Sequence, residues 1–229
     1  MVAPDGSVLN LIHQDNPLSE PWFTESRIRL ATSPAVGEVG IRAFETGPVG
    51  TVDGHVAVIL DGDYVGEYAA QGGTYLLAQN ADRSLGLVAW RGRWHEAYCW
   101  VNIPEATHSQ MLQLLDGLTF TDTPAGLRVR PAPGESYQRI TATKHVPGVG
   151  MASIVRTPQV ARELPLWSGL KIRVGEVWRQ RTEADIPGAE LSSLVCATLT
   201  AVISLHPRDG GDEATALAFL SRMYKVSWL

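Results

Sequence analysis

Residues 73–121 constrain the fold more tightly than any other part of the chain. Thr74-Tyr75-Leu76-Leu77-Ala78-Gln79 and Leu85-Gly86-Leu87-Val88-Ala89-Trp90 have the apolar and aromatic make-up of strands, and the turn-forming run Asn80-Ala81-Asp82-Arg83 lies between them. A tight Arg91-Gly92-Arg93 turn leads into residues 94–103. There Trp94, Glu96, Tyr98, Trp100 and Asn102 share one face of a strand, and His95, Ala97, Cys99, Val101 and Ile103 share the other. Beyond Pro104, Thr107 is placed as the N-cap of a helix whose Met111, Leu112, Leu114, Leu115 and Leu118 recur at helical spacing. Gly117 ends it, because an achiral residue accepts the positive φ of a helix C-terminus. Three consecutive strands followed by a short amphipathic helix specify an antiparallel sheet with a helix against one face.

The rest of the chain extends this pattern. Turn formers at Asp15-Asn16-Pro17 and Ser19-Glu20-Pro21 predict an irregular lead-in, with order beginning near Trp22. Apolar alternation predicts strands over 27–30 and 39–44, separated by Ser33-Pro34. His55-Val56-Ala57-Val58-Ile59-Leu60, between Asp53-Gly54 and Asp61-Gly62, reads as a further strand of a meander. Pro- and Gly-rich runs at 121–126 and 130–135 mark a boundary, giving domains over 22–130 and 136–229. The second domain offers strands over 137–143, 151–156, 170–179 and 194–205, an Asp209-Gly210-Gly211-Asp212 turn and a helix over 213–223. Both halves end strand, helix, strand, so the second reads as a divergent repeat of the first, with two unrelated halves as the alternative. With 22 Gly, 14 Pro and only 19% charged residues, the composition agrees with a mainly antiparallel α+β protein in which a helix packs on each of two sheets.

Twenty-four acidic and 19 basic residues, spread without blocks, give a net charge of -5 and no electrostatic footprint for nucleic acid. No stretch approaches the roughly 18 apolar residues of a membrane helix, so no membrane insertion is expected. The first ten residues lack a basic and apolar leader, so the chain as written reads as cytoplasmic, and as extracytoplasmic if a leader has been trimmed from it. Cys99 and Cys196, each among apolar or aromatic neighbours, read as buried thiols, with a disulfide between the halves as the alternative.

Catalytic signatures are sparse. The six histidines, at 13, 55, 95, 108, 145 and 206, show no metal-ligand spacing, so no metal and no cofactor is expected. Asp61-Gly62-Asp63 opens like a calcium loop with Gly66 at the sixth position, but Gly72 stands where the closing Glu is needed, and a hairpin turn is the simpler reading. Residues 146–150 contain two glycines with no following Lys-Ser/Thr, and no Gly-x-Ser-x-Gly elbow occurs. His206-Pro207-Arg208-Asp209 gathers acid-base groups in one loop. The strongest candidate site is the aromatic hairpin, with Trp90, Arg91, Arg93, Trp94, Tyr98 and Trp100 as partner- or ligand-binding residues. These features predict a non-catalytic binding, sensing or assembly module that recognises a protein partner or a small apolar ligand through a sheet face. Two alternatives stand beside it: a hydrolase or transferase using His95, Glu96, His206 and Asp209, and a structural subunit of a homo-oligomeric, phage-derived assembly.

Gly50-Thr51-Val52-Asp53-Gly54-His55-Val56-Ala57-Val58, the strand ending Val88-Ala89-Trp90, and residues 97–103 before the Leu-rich helix together resemble the extracytoplasmic lipoprotein-carrier-like modules of actinobacterial anti-sigma factors and lipoproteins. The resemblance covers residues 36–121 and rests on the order and spacing of elements. It implies a curved antiparallel sheet with a helix on it, and binding or sensing at the cell envelope, with no catalytic residues to carry over.

Overall fold

The structure, a computed structural model, describes residues 1–15, 18, 21–31, 40–183, 190–208 and 211–229. Of the residues singled out above, Asn16, Pro17, Ser19, Glu20, Ser33, Pro34, Val39, Asp209 and Gly210 lie outside these. The elements run β1 (Leu9–His13), β2 (Phe23–Arg29), β3 (Ile41–Pro48), α1 (Thr51–His55) continuing into a π-helical turn (Val56–Leu60), β4 (Gly62–Ala70), β5 (Gly73–Asn80), β6 (Gly86–Arg91) and β7 (His95–Val101). Next come α2 (His108–Gln113), β8 (Thr119–Thr123), β9 (Gly126–Arg130), β10 (Ser136–Val146), β11 (Gly150–Arg156) and α3 (Thr157–Val160) with a 3-10 turn. The chain closes with β12 (Leu170–Lys171), β13 (Glu176–Glu183), β14 (Glu190–Ala197), β15 (Ala201–Pro207), α4 (Glu213–Ser221) and β16 (Met223–Trp228). The described strand pairings are antiparallel, and the fold is α+β.

Val2–Gly6 and Phe23–Ile140 form a first compact unit; Met1, Ser7–Trp22 and Thr141–Leu229 form a second. The N-terminal segment, expected to be irregular, is shared between them. The Val2 N–H donates to the Ala125 carbonyl (3.0 Å) and the Val129 N–H to the Pro4 carbonyl (2.8 Å) in the first unit. In the second, β1 pairs with β16, Leu9 opposite Trp228. Segments this short form strands because the partner strand satisfies their backbone groups, a gain no local pattern announces.

The first unit's strands lie in the order β10-β2-β3-β7-β6-β5-β4, with β10 belonging to it over residues 136–140. One face of β5, β6 and β7 packs on α2 and the turn that follows it: Leu77, Val88, Trp90, Ala97, Cys99 and Val101 meet Met111 of the helix and Leu115 and Leu118 beyond its end, and the β8–β9 hairpin adds Phe120, Leu127 and Val129. Helix α2 starts where predicted, its Thr107 and Gln110 forming a reciprocal capping box. The opposite face of the same strands, with Leu76, Ala78, Leu87, Ala89 and Tyr98, packs against Val52, Val56 and Leu60. Residues 55–60 are therefore helical and not the expected strand. Val52, Val56 and Leu60 recur every fourth residue and reach the sheet, while Val58 stays 82% exposed. Burying that stripe overrides the β-propensity of the valines.

The second unit orders its strands β12-β13-β14-β15-β11-β10, with β10 belonging to it over residues 141–146. Helix α4 begins at Asp212, whose carboxylate accepts from the Thr215 N–H (2.7 Å), and buries Ala216, Phe219 and Leu220. Residues 194–205, predicted as one strand, divide into β14 and β15. Thr198 closes the turn: its N–H donates to the Ala201 carbonyl (2.8 Å) and its hydroxyl accepts from the Ala201 N–H (3.0 Å). Residues 170–179 divide likewise, the Ile172 N–H donating to the Gly175 carbonyl (2.9 Å). Among the described residues no helix is long and apolar enough to cross a membrane.

Candidate functional site

The β6–β7 hairpin distributes the six residues singled out from the sequence among three environments. Trp90 is buried on the α2 face, stacked on Phe120 with ring centroids 4.7 Å apart, and its indole N–H donates to the Ala70 carbonyl (3.2 Å). Arg91, Tyr98 and Trp100 belong to the α1 face. Arg93 and Trp94 form the tip, where the guanidinium lies 4.9 Å from the centre of the Trp94 ring and Trp94 is 37% exposed. That tip is anchored from beneath by Asp122, which accepts from the Trp94 N–H (2.7 Å) and from His95 Nδ1 (2.8 Å).

Two polar clusters sit on the α1 face. In one, Arg91 faces Glu96 across the strands and donates to its Oε1, and also donates to Asp53 Oδ1 (2.8 Å); the Tyr64 hydroxyl donates to the same Asp53 oxygen. Glu96 has no exposed side-chain surface, and its Oε2 accepts from the Val52 N–H (2.8 Å) in the first turn of α1. Burial pushes the Tyr64 hydroxyl up to about 12, and the Asp53 carboxylate it serves adds to the effect. Burial works against the charge of Arg91, but bonds to Asp53 and Glu96 outweigh it and hold the guanidinium protonated.

The hydrogen bond from Tyr64, together with Arg91, lowers the pKa of Asp53. Because the folded value is depressed, the stabilisation is fully present above the unfolded value near ~3.9 and is lost as pH falls through the folded one. Asp53→Asn should therefore cost up to about 1 kcal/mol near neutrality, the limit for a pair this exposed, and the deficit should shrink toward pH ~3. Urea denaturation of both proteins at the two pH values checks this.

In the second cluster the Tyr98 hydroxyl donates to Glu45 Oε2 (2.9 Å) and accepts from His55 Nε2 (2.9 Å), while the edge of Trp100 meets the His55 ring at 5.6 Å. Burial, and then the Glu45 charge, raise the Tyr98 pKa. A His-Tyr-Glu chain of this kind can pass a proton, but here each member is held by the next. His95 and Glu96 point to opposite faces, as their adjacency on one strand requires, so they form no pair. His206, half-buried on β15, has its pKa lowered by burial and by Arg208. Among the described residues no carboxylate hydrogen-bonds to it, and Asp209 lies outside them. Cys99 and Cys196 are free, buried thiols, each pushed up to about 12 by burial, which withholds the reactive thiolate. Among the described residues no group of three or more His, Cys, Asp or Glu could hold a metal ion.

Three concave surfaces among the described residues stand apart from these clusters, one of them a cleft of about 460 Å³ in the first unit lined by Pro4, Asp5, Thr119, Arg128, Arg130 and Tyr137. In the second unit a cleft of about 460 Å³ is walled by Val146, Pro147 and Val149 of the β10–β11 turn and by Ala214, Ala218 and Phe219 of α4. Its polar edge is built by His13, Asp15 and Arg222. The His13 ring stacks on Phe219 (4.5 Å), donates from Nε2 to the Phe219 carbonyl (3.1 Å) and accepts at Nδ1 from the Asp15 N–H (3.2 Å), so both nitrogens are committed. Arg222 donates to Asp15 Oδ2 at 2.7 Å. Sequence reasoning missed this cleft; the one available signal was the spacing Ala214-Ala218-Arg222, which puts two small residues and a cation on one stripe of α4. In the first unit, a groove of about 420 Å³ lies between β4, β5 and α2, lined by Tyr68, Tyr75, Ser109, Leu112, Gln113 and Asp116. No protein-family model, curated protein or solved structure matches the chain.

Proposed function

We propose that this protein is a non-catalytic binding module and that the cleft of the second unit is its small-ligand site. The observation that carries this reading is the chemistry of the cleft wall: Val146, Pro147, Val149, Ala218 and Phe219 supply apolar surface, and one ion pair, Arg222 with Asp15, lies at the edge. A volume of about 460 Å³ suits a ligand of one or two fused rings, and few polar groups in an apolar wall are the usual make-up of a ligand pocket. The committed nitrogens of His13 leave that ring to act as a flat wall. The groups able to do acid-base work, in the Arg91-Glu96-Asp53 and His55-Tyr98-Glu45 clusters, are engaged with one another, which favours recognition over turnover.

The ligand class is an apolar ring system carrying an anionic group, with Arg222 exchanging Asp15 for the ligand's charge. Titration with 2-naphthoate by calorimetry should give a saturable one-to-one isotherm. Ala218→Trp, which fills the cleft from an exposed position on α4, should weaken it at least tenfold, and Trp94→Ala in the other unit should leave it unchanged. Equal binding by Ala218→Trp and the parent, or no saturable binding, contradicts the reading.

A further inference from the structure

Strand β4 stands last in its sheet, and among the described residues no strand pairs with its outer edge. It runs nine residues with neither proline nor lysine, and Asp63, Tyr64, Val65, Glu67, Tyr68 and Ala69 are all exposed. Tyr64, Val65 and Tyr68 are 43%, 39% and 41% exposed, an apolar display that an edge strand ordinarily avoids. The register shifts between Tyr64 and Gly66, so one end is bulged, while Gly66 to Ala70 continue in regular pairing with β5. A stretch of that length offers its outward backbone groups to an incoming strand.

Charge selects the occupant. Asp61, Asp63 and Glu67 flank the exposed tyrosines, no basic residue occurs on β4, and none of these carboxylates has an ion-pair partner among the described residues. Pairing with the same strand of a second copy would bring four β4 carboxylates into one ribbon with nothing to neutralise them, which disfavours self-association. Beside the edge, Tyr68 and Tyr75 are cross-strand partners, and the groove they open is closed by Ser109, Leu112, Gln113 and Asp116. Two tyrosine rings with a carboxylate in the same lining suit a cationic side chain, held by ring faces and countered by Asp116. The Tyr68 hydroxyl is tied to His108 Nδ1 at 2.7 Å, which fixes the ring at the mouth of the groove.

We propose that the β4 edge binds an extended basic segment of a partner protein by strand addition, with a lysine or arginine side chain entering the Tyr68–Tyr75 groove toward Asp116. This is a second site, independent of the cleft in the other unit. The test uses the full chain and a fluorescein-labelled heptapeptide of alternating Lys and Val, with a Glu-Val heptapeptide as the charge control. Two further probes carry N-methyl groups on alternate residues, one set on each edge of the peptide strand.

The Lys-Val peptide should bind saturably and the Glu-Val peptide at least tenfold more weakly. One N-methylated probe should lose at least tenfold and the other little, because an added strand uses one edge only. Tyr68→Ala and Asp116→Asn, both at exposed positions, should each weaken binding severalfold, Asp116→Asn without moving the melting temperature. Equal binding of the Lys-Val and Glu-Val peptides overturns the proposal. So does equal binding of both N-methylated probes, which signals charge adsorption without strand pairing. A peptide-free dimer in light scattering also overturns it, because a second copy then takes the edge.

Discussion

Glu96→Ala should destabilise the first unit by about 3–5 kcal/mol, the usual cost of removing one member of a buried ion pair. The carboxylate has no exposed surface and bonds to both Arg91 and the Val52 N–H. Its loss leaves the half-buried guanidinium with one of its two carboxylate partners, Asp53, and strands an unpaired backbone donor at the start of α1, and both changes carry a desolvation cost. The consequence should be local as well as global. Helix α1 has an N-cap glycine at φ 96° and no side-chain cap, so Glu96 supplies from the sheet what a capping side chain would supply from the helix. Glu96→Gln keeps an acceptor for Val52 but not the charge for Arg91, and should fall between the parent and the alanine variant. Urea denaturation followed by far-ultraviolet circular dichroism measures both. Hydrogen exchange should show early opening of residues 51–60 in the alanine variant. A loss below about 1 kcal/mol for Glu96→Ala would mean that the pair is screened as at a surface.

Trp90→Ala should cost a similar amount, about 3–5 kcal/mol, for a different reason. The indole fills the space between the sheet and the β8–β9 hairpin, stacked within 9° of parallel on Phe120, and its N–H satisfies the Ala70 carbonyl. Removing it leaves a cavity that two rigid elements cannot close. Trp90→Phe, which keeps most of the volume, should recover more than half of the loss. If Trp90→Ala were nearly neutral for stability, the tryptophan would act as a recognition group and not as core. The tip pair, Arg93 and Trp94, is the part of the hairpin that can be altered with little change in stability, because it lies outside both cores.

The parts of the fold that could be read from the sequence are those governed by local chemistry. Thr107 and Gln110 lie three residues apart ahead of a leucine stripe, and they form the capping box that begins α2. Alternation along residues 94–103 correctly separates Glu96, Tyr98 and Trp100 from His95, Ala97 and Cys99. What failed was local propensity set against distant packing. His55-Val56-Ala57-Val58-Ile59-Leu60 is rich in β-branched residues, yet Val56 and Leu60 are buried by strands β5 to β7, which follow later in the chain. The turn at Thr198-Leu199-Thr200 contains no Gly, Pro, Asn or Asp, and is closed by the backbone N–H and the hydroxyl of Thr198, both bonded to Ala201.

The sites were less legible because their members come from far apart. Arg91 meets Asp53 across 38 residues, Tyr98 meets Glu45 across 53, and His13 meets Phe219 across 206. No fixed spacing announces such groupings. The aromatic hairpin drew attention because its residues are adjacent in sequence, whereas the structure gives Trp90 to one face, Arg91, Tyr98 and Trp100 to the other, and Arg93 and Trp94 to the tip. Adjacency along a strand separates side chains as often as it joins them.

The claim that this is a recognition protein with its ligand site in the second unit is tested most directly by backbone amide chemical-shift mapping during titration with 2-naphthoate. Saturable shifts are expected at His13, Asp15, Val146, Val149, Thr215, Phe219 and Arg222, with a single dissociation constant and none of comparable size on β6 and β7. Shifts scattered over the surface without saturation, or concentrated around His55, Tyr98 and Glu45, would contradict it.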